Sequence, residues 1–179
     1  MKHIDLFTPV DLIGTDRGRE LDFHGRTPST DEVWELLDLV PDPEIPVVSV
    51  VDLGIVRDVR HNSEQTPAWE VDITPTYSGC PATDFIASEI ERALTRAGIA
   101  SKIKTVLAPA WSSTWISAKG RKAMLDSNIV PPVHDLNTLT CPNCGSSDVH
   151  MKNQFGSTAC KALYTCNACA EPFDYFKTI

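Results

Sequence analysis

The stretch that decides the fold is VDITPTYSGCPATDFIASEI, residues 71–90. Trp69, Val71 and Ile73 alternate with Glu70, Asp72 and Thr74. A period of two is what a strand with one buried face produces. Further on the period changes: Ile86, Ile90, Ala93, Leu94 and Ala97 share one helical face, and Gly98 stands where a left-handed C-terminal residue belongs. Between strand and helix lies Gly79-Cys80-Pro81. Proline suits the first helical position and Gly79 permits a tight bend before it. The spacing therefore puts Cys80 at or beside the helix N-cap, where the positive end of the helix dipole favours thiolate over thiol. A thiolate there is a nucleophile or a soft-metal ligand. A small hydrophobe closing the core is an equally good reading of the same position.

Upstream, STDEVWELLDLV (residues 29–40) predicts a helix. Ser29 and Glu32 have capping-box spacing, acids occupy the first turn, and Val33, Leu36, Leu37 and Val40 share a face. PDPEIP follows, with three prolines in six residues, and must end that helix in an extended turn. Asp42 and Glu44 in this turn are either exposed acids on a rigid loop or hard oxygen donors able to share a metal. A short apolar segment, a break at Gly54 and a strand around residues 55–60 come next. Downstream, SKIKTVLAP alternates as a third strand, and SAKGRKAMLDSN reads as a weaker helix interrupted by Gly120. The order of elements predicts an α+β fold: a three- to four-stranded sheet packed with helices, followed by a zinc-ribbon-like module. The expected divisions are an arm at 1–28, the α+β domain at 29–133 and the cysteine-rich module at 134–179.

That last module carries CPNCG (Cys141, Cys144) and CNACA (Cys166, Cys169), two knuckles separated by 21 residues. Two-residue spacing lets both thiolates reach one ion, and two knuckles complete a tetrahedral four-sulfur shell. Structural zinc is the expected occupant, with an iron–sulfur centre as competitor. So small a module cannot fold on apolar burial alone, so the metal's binding energy is folding energy. Cys160 is left over. It reads as a buried free thiol, with ligand exchange or a second, labile metal as the alternative.

The formal net charge is −8, and residues 138–179 hold three lysines and no arginine. Nucleic acid and anionic membrane are therefore excluded as expected partners. No apolar run approaches a membrane span, and the first residues mix acids and bases without a signal-peptide core. With C-x-x-C pairs in place of a secretory pattern, a reducing cytoplasm is the expected compartment. No glycine pattern suits a nucleotide, and no Glu-x-x-His pair suits an oxygen-activating di-iron centre.

PDPEIPVVSVVDLGIVRDV, VDITPTYSGCPATDFIASEI and TVLAPAWSSTWISAKGRKAM, taken in order, resemble the metal–sulfur-cluster assembly domain family. With the tail FGSTACKALYTCNACAEPFDYFK, the resemblance narrows to the D/J-type branch associated with phenylacetyl-CoA epoxidase, a ring-hydroxylating oxygenase of phenylacetate degradation. It covers about residues 30–179. The resemblance implies an accessory maturation factor, not an enzyme, that helps build the iron or iron–sulfur centre of that oxygenase or its reductase. The family's reactive cysteine falls on Cys80 and its acidic turn on Asp42 and Glu44, which would carry iron or a cluster in transit. Two other roles stay open: a structural or adaptor component of the oxygenase, and a thiol enzyme using Cys80. A homodimer is also compatible with the sequence.

Overall fold

The structure, a computed structural model, describes residues 21–177. The expected arm at 1–28 lies outside the described residues over its first twenty positions. Its last part supplies Phe23, which is buried in the main core and whose N–H donates to the Ala97 carbonyl.

Helix α1 (Thr30–Leu37) begins with the capping box: Ser29 Oγ accepts from the Glu32 N–H, and the Glu32 carboxylate accepts from the Ser29 N–H. Val33, Leu36 and Leu37 face inward. Strand β1 (Val56–His61) pairs antiparallel with β2 (Trp69–Ile73), and β2 pairs parallel with β3 (Ser101–Thr105) in the order β1-β2-β3. Helix α2 (Thr83–Arg96) is the crossover between those parallel strands and buries Ile86, Ile90 and Leu94. Burying each such side chain stabilises by about 1.5–3 kcal/mol. The alternation read at Trp69–Ile73 is the observed burial pattern of β2, with Val71 wholly inaccessible. This α+β arrangement leaves the C-terminal ends of β2 and β3 next to the turn that precedes α2.

Helix α3 (Ala118–Asp126) is capped by Ser117 Oγ, which accepts from Gly120 N–H. Strand β4 (Ile129–Val130) follows directly and joins the second sheet, parallel to β7 (Pro172–Phe176). With β5 (Val149–Asn153) and β6 (Lys161–Cys166) the order there is β4-β7-β6-β5. The second sheet has its own small core around Tyr164, Phe173 and Tyr175. It also lends three side chains, Ile129, Cys160 and Phe176, to the main core. Phe176 meets Trp111 edge-on at 6.0 Å, and the Trp111 indole N–H donates to the Leu53 carbonyl at 3.0 Å. The two sheets are thereby pressed together on the segment that carries the acidic turn.

That segment is fixed by a polar network and one close approach. Ser117 Oγ donates to Asp52 Oδ1 at 2.6 Å, and Lys119 bridges Asp38 and Asp52 at 2.7 Å each. Gly54 has φ +73°, and a Cβ there would stand 2.7 Å from the Trp115 Cβ. Gly25, at φ +88°, has nothing within 4 Å of the same position. Gly25→Ala should therefore cost only the backbone strain, about 1–2 kcal/mol, whereas Gly54→Ala adds a clash that backbone must relieve and should cost clearly more. Urea unfolding of both variants checks this; equal losses would mean that the Trp115 contact is not rigid.

Candidate functional site

Asp42 closes the acidic turn. Its Oδ1 accepts from the N–H groups of Glu44 and Ile45 at 2.9 and 2.8 Å, and its own N–H donates to the Val48 carbonyl. These bonds meet much of the cost of a carboxylate that is only 5% exposed. Burial still pushes the Asp42 carboxyl above the usual Asp range, with the two N–H groups pulling the other way and the Glu44 charge adding to the rise. Asp42 is thus not the exposed acid of a rigid loop. Glu44 is half-buried beside it and points toward the second sheet.

Cys80 lies in the turn before α2. Its N–H donates to the Tyr77 carbonyl, and its carbonyl accepts from the Thr83 N–H and hydroxyl. The helix begins at Thr83 with Ala82 as its N-cap, so Pro81 does not occupy the first helical position and Cys80 is not the cap. The expected bias toward thiolate is also reversed. Burial pushes the Cys80 thiol up; the Ala82 N–H and the Thr83 hydroxyl oppose this, while the charges of Glu44 and Asp42 reinforce it. The helix end is legible in the sequence; the two carboxylates brought next to it are not.

Asp42, Glu44 and Cys80 line one small cavity of about 10 Å³, walled by Ile45, Ile86 and Phe176. Cys160 lines it too, from the turn that leads into β6. Outside its mouth, Pro43, Pro81, Ala82 and the exposed Phe85 form an apolar surface groove. The three positions singled out in the sequence do converge, and the leftover cysteine joins them. Sequence reasoning left Cys160 unplaced because nothing near it in the chain hints at a partner 116 residues away.

The four knuckle cysteines form a separate centre. Among the described residues, one group of three or more metal-ligating side chains brings its donor atoms within 4.8 Å of one another: Cys141, Cys144, Cys166 and Cys169. Cys141 and Cys169 sulfurs are 3.7 Å apart, and those of Cys144 and Cys166 3.6 Å. Four sulfurs at about 2.3 Å from one ion in a tetrahedron stand about 3.8 Å apart, whereas a disulfide needs about 2.05 Å. The donor set therefore fits one zinc-sized ion. Backbone N–H groups of Cys169 and Ala168 help bring the Cys166 thiol down to about 7. Cys169, despite the Glu171 N–H, is pushed up to about 12 by burial and the other sulfurs. A cation bound by all four sulfurs displaces the protons that remain.

The carboxyl of Asp42 gives a signed prediction. A raised folded-state pKa means that the folded protein holds this proton more tightly than the unfolded chain. The penalty for the buried charge is absent below the ordinary Asp value and fully present above the raised one. Asp42→Asn keeps an oxygen acceptor for both N–H groups and removes the charge. It should be more stable than the wild type at pH 7, and the advantage should shrink as pH falls through the Asp range. Urea unfolding at the two pH values checks it; a less stable variant at pH 7 would mean that the charge itself holds the turn.

Residues 30–107 match the iron–sulfur cluster assembly protein family, and residues 130–177 match the PaaD zinc beta ribbon domain. An Escherichia coli K12 protein, provisionally assigned as a component of 1,2-phenylacetyl-CoA epoxidase, is 43% identical over 159 residues, covering 85% of this chain and 94% of its own. A Porphyromonas gingivalis W83 protein described as an Fe–S protein maturation auxiliary factor is 32% identical over 98 residues, 54% of this chain and 88% of its own. Among solved structures, a domain of unknown function from Bacillus anthracis is 27% identical with a TM-score of 0.48, covering 52% of this chain and 89% of that one. An assembly-type domain followed by a four-cysteine ribbon, with identity carried across nearly the whole length of the E. coli protein, places the chain in the PaaD family of phenylacetyl-CoA epoxidase components.

Proposed function

We propose that this chain is a maturation factor for a phenylacetyl-CoA epoxidase. Cys80, with Asp42 and Glu44, holds iron or an iron–sulfur unit in transit, and the ribbon docks the oxygenase or reductase component that receives it. The observation that carries this reading is the convergence of a thiol and two carboxylates, far apart in the sequence, on one cavity of an iron–sulfur assembly domain. The relatives in E. coli and P. gingivalis supply its two halves, epoxidase and Fe–S maturation.

Electrostatics favours carriage over catalysis. A nucleophilic cysteine needs surroundings that stabilise its thiolate. Burial and two carboxylates do the opposite at Cys80. The same negative surroundings attract a cation, which then releases the thiol proton to solvent. The chain is an accessory protein rather than an enzyme.

In the ribbon, Cys141, Cys144, Cys166 and Cys169 hold structural zinc, whose role is to fold the module. Ala170, just after the second knuckle, sits at φ 62°. For a residue with a Cβ that backbone costs about 1–2 kcal/mol, an expense that metal binding readily offsets. The working units are the assembly domain and the ribbon, whose sheet also takes in β4 (Ile129–Val130).

Two outcomes are expected. Co-expressed with the epoxidase components, Cys80→Ser should lower the iron content of the purified complex several-fold. Undiminished iron, with the variant still co-purifying at fixed stoichiometry, would make the chain a structural adaptor instead. Metal analysis of the wild type should find about one zinc per chain resistant to dialysis, and Cys144→Ser should lose it together with the ribbon's protection from proteolysis. A zinc-free wild type with an intact ribbon would overturn the structural assignment.

A further inference from the structure

Cys160 sits immediately before β6, and the mechanism proposed so far makes no use of it. It is 3% exposed, yet its thiol does not face a purely apolar wall. Cys160 Sγ donates to Glu44 Oε2 at 3.1 Å and lies 3.0 Å from Thr158 Oγ1. The next residue, Lys161, is also buried and donates through Nζ to the Glu44 backbone carbonyl at 3.3 Å. Thus the ribbon grips the acidic turn at both its carboxylate and its backbone. That hydrogen bond satisfies the thiol and the half-buried carboxylate together and brings a second sulfur to the acidic turn. Burial pushes the Cys160 thiol up to about 12, with the Glu44 hydrogen bond and charge adding to the rise against the Thr158 hydroxyl. The proton between sulfur and carboxylate occupies the kind of place that a cation takes when it binds both.

We propose that Cys160 completes, with Cys80 and Glu44, a three-donor site for a single borderline divalent cation of the Fe(II) type, at the junction of the assembly domain and the ribbon. This deepens the carrier reading and rests on it. Two thiolates and a carboxylate select iron, cobalt or zinc over magnesium and calcium. Three protein donors leave a coordination position open to a receiving ligand, whereas the four knuckle sulfurs close theirs. The open site suits transfer and the closed one suits permanent tenure. Three donors with one open position match the coordination of a single ion. The cargo assigned is therefore a lone ion. On binding, M²⁺ displaces one proton from each thiol, both pass to solvent, and no electron moves.

The three donors are not gathered within 4.8 Å as the knuckle sulfurs are. Cys160 and Glu44 already stand 3.1 Å apart, so binding must draw the Cys80 turn toward that pair.

The test uses the full-length protein with its ribbon zinc in place, titrated with Co²⁺ under argon and followed by bound-metal analysis and thiolate-to-cobalt absorption. Wild type should take up one cobalt beyond the zinc, with thiolate absorption. Cys80→Ser and Cys160→Ser should each weaken that uptake on the order of tenfold or more, the loss typical even of partners one shell removed from a metal. Each should also lose about half of the thiolate absorption. Glu44→Gln should weaken uptake while keeping the absorption, and it reads the same contact from the other side should Cys160→Ser not fold. If Cys80→Ser abolishes uptake and neither Cys160→Ser nor Glu44→Gln changes it, the three-donor site is overturned while the carrier reading survives. Uptake unaffected by all three variants overturns both.

Discussion

The structure depends on a buried carboxylate that holds a turn. Asp42 accepts two consecutive backbone N–H groups and thereby bends residues 41–46 back on themselves. The bend buries Ile45 in the main core and turns Glu44 outward to meet the ribbon. Without it, Cys160 and Lys161 would lose their contacts across to the assembly domain, and Phe176 would press on a loop with no fixed shape. A carboxylate is a costly way to make a turn when an amide would serve the same N–H groups. On the carrier reading proposed above, its place in a cavity with two thiols gives the charge a second task, that of drawing in a cation.

The two sulfur centres differ in one physical respect that separates their roles. In the knuckles, four sulfurs already stand at the spacing of a tetrahedral shell, fixed by tight turns and backbone N–H donors. An ion there is enclosed by protein ligands and contributes to folding. At the junction, the donors come from three separate segments: the acidic turn, the loop before α2 and the turn that leads into β6. Cys160 and Glu44 already meet, but Cys80 must move to join them, so on the proposal above an ion there would be bound less tightly than in the knuckles. Permanent and temporary possession thus follow from how far each donor set is organised before metal arrives.

Much of this was legible in the sequence, for identifiable reasons. The capping box at Ser29 and Glu32, the alternation at Trp69–Ile73 and the knuckle spacing are local patterns, and each is present in the structure. What was missed is non-local. Strand β4 is two residues long and leaves no period to read. Asp42 has the composition of a surface acid, and only the N–H groups folded around it explain its burial. Cys80 was expected to favour thiolate from its place before a helix, but a helix end acts over one turn, and burial outweighs it, with carboxylates from another segment adding to the rise. The pairing of Cys160 with Glu44 spans 116 residues and leaves no trace in spacing.

That reversed bias at Cys80 also bears on how a carrier could let go. A thiol whose thiolate is stabilised by fixed N–H donors would keep its metal regardless of what approached. Here thiolate character at Cys80 and Cys160 is raised against burial and negative charge, and depends on the cation itself. Each proton that returns weakens the donor set, and each sulfur that regains one becomes a poor ligand again. On the carrier reading proposed above, a recipient that binds the ion more tightly withdraws it and leaves two neutral thiols beside Glu44 rather than exposed thiolates. The same carboxylates that make the empty site unreactive as a nucleophile make it reversible as a carrier.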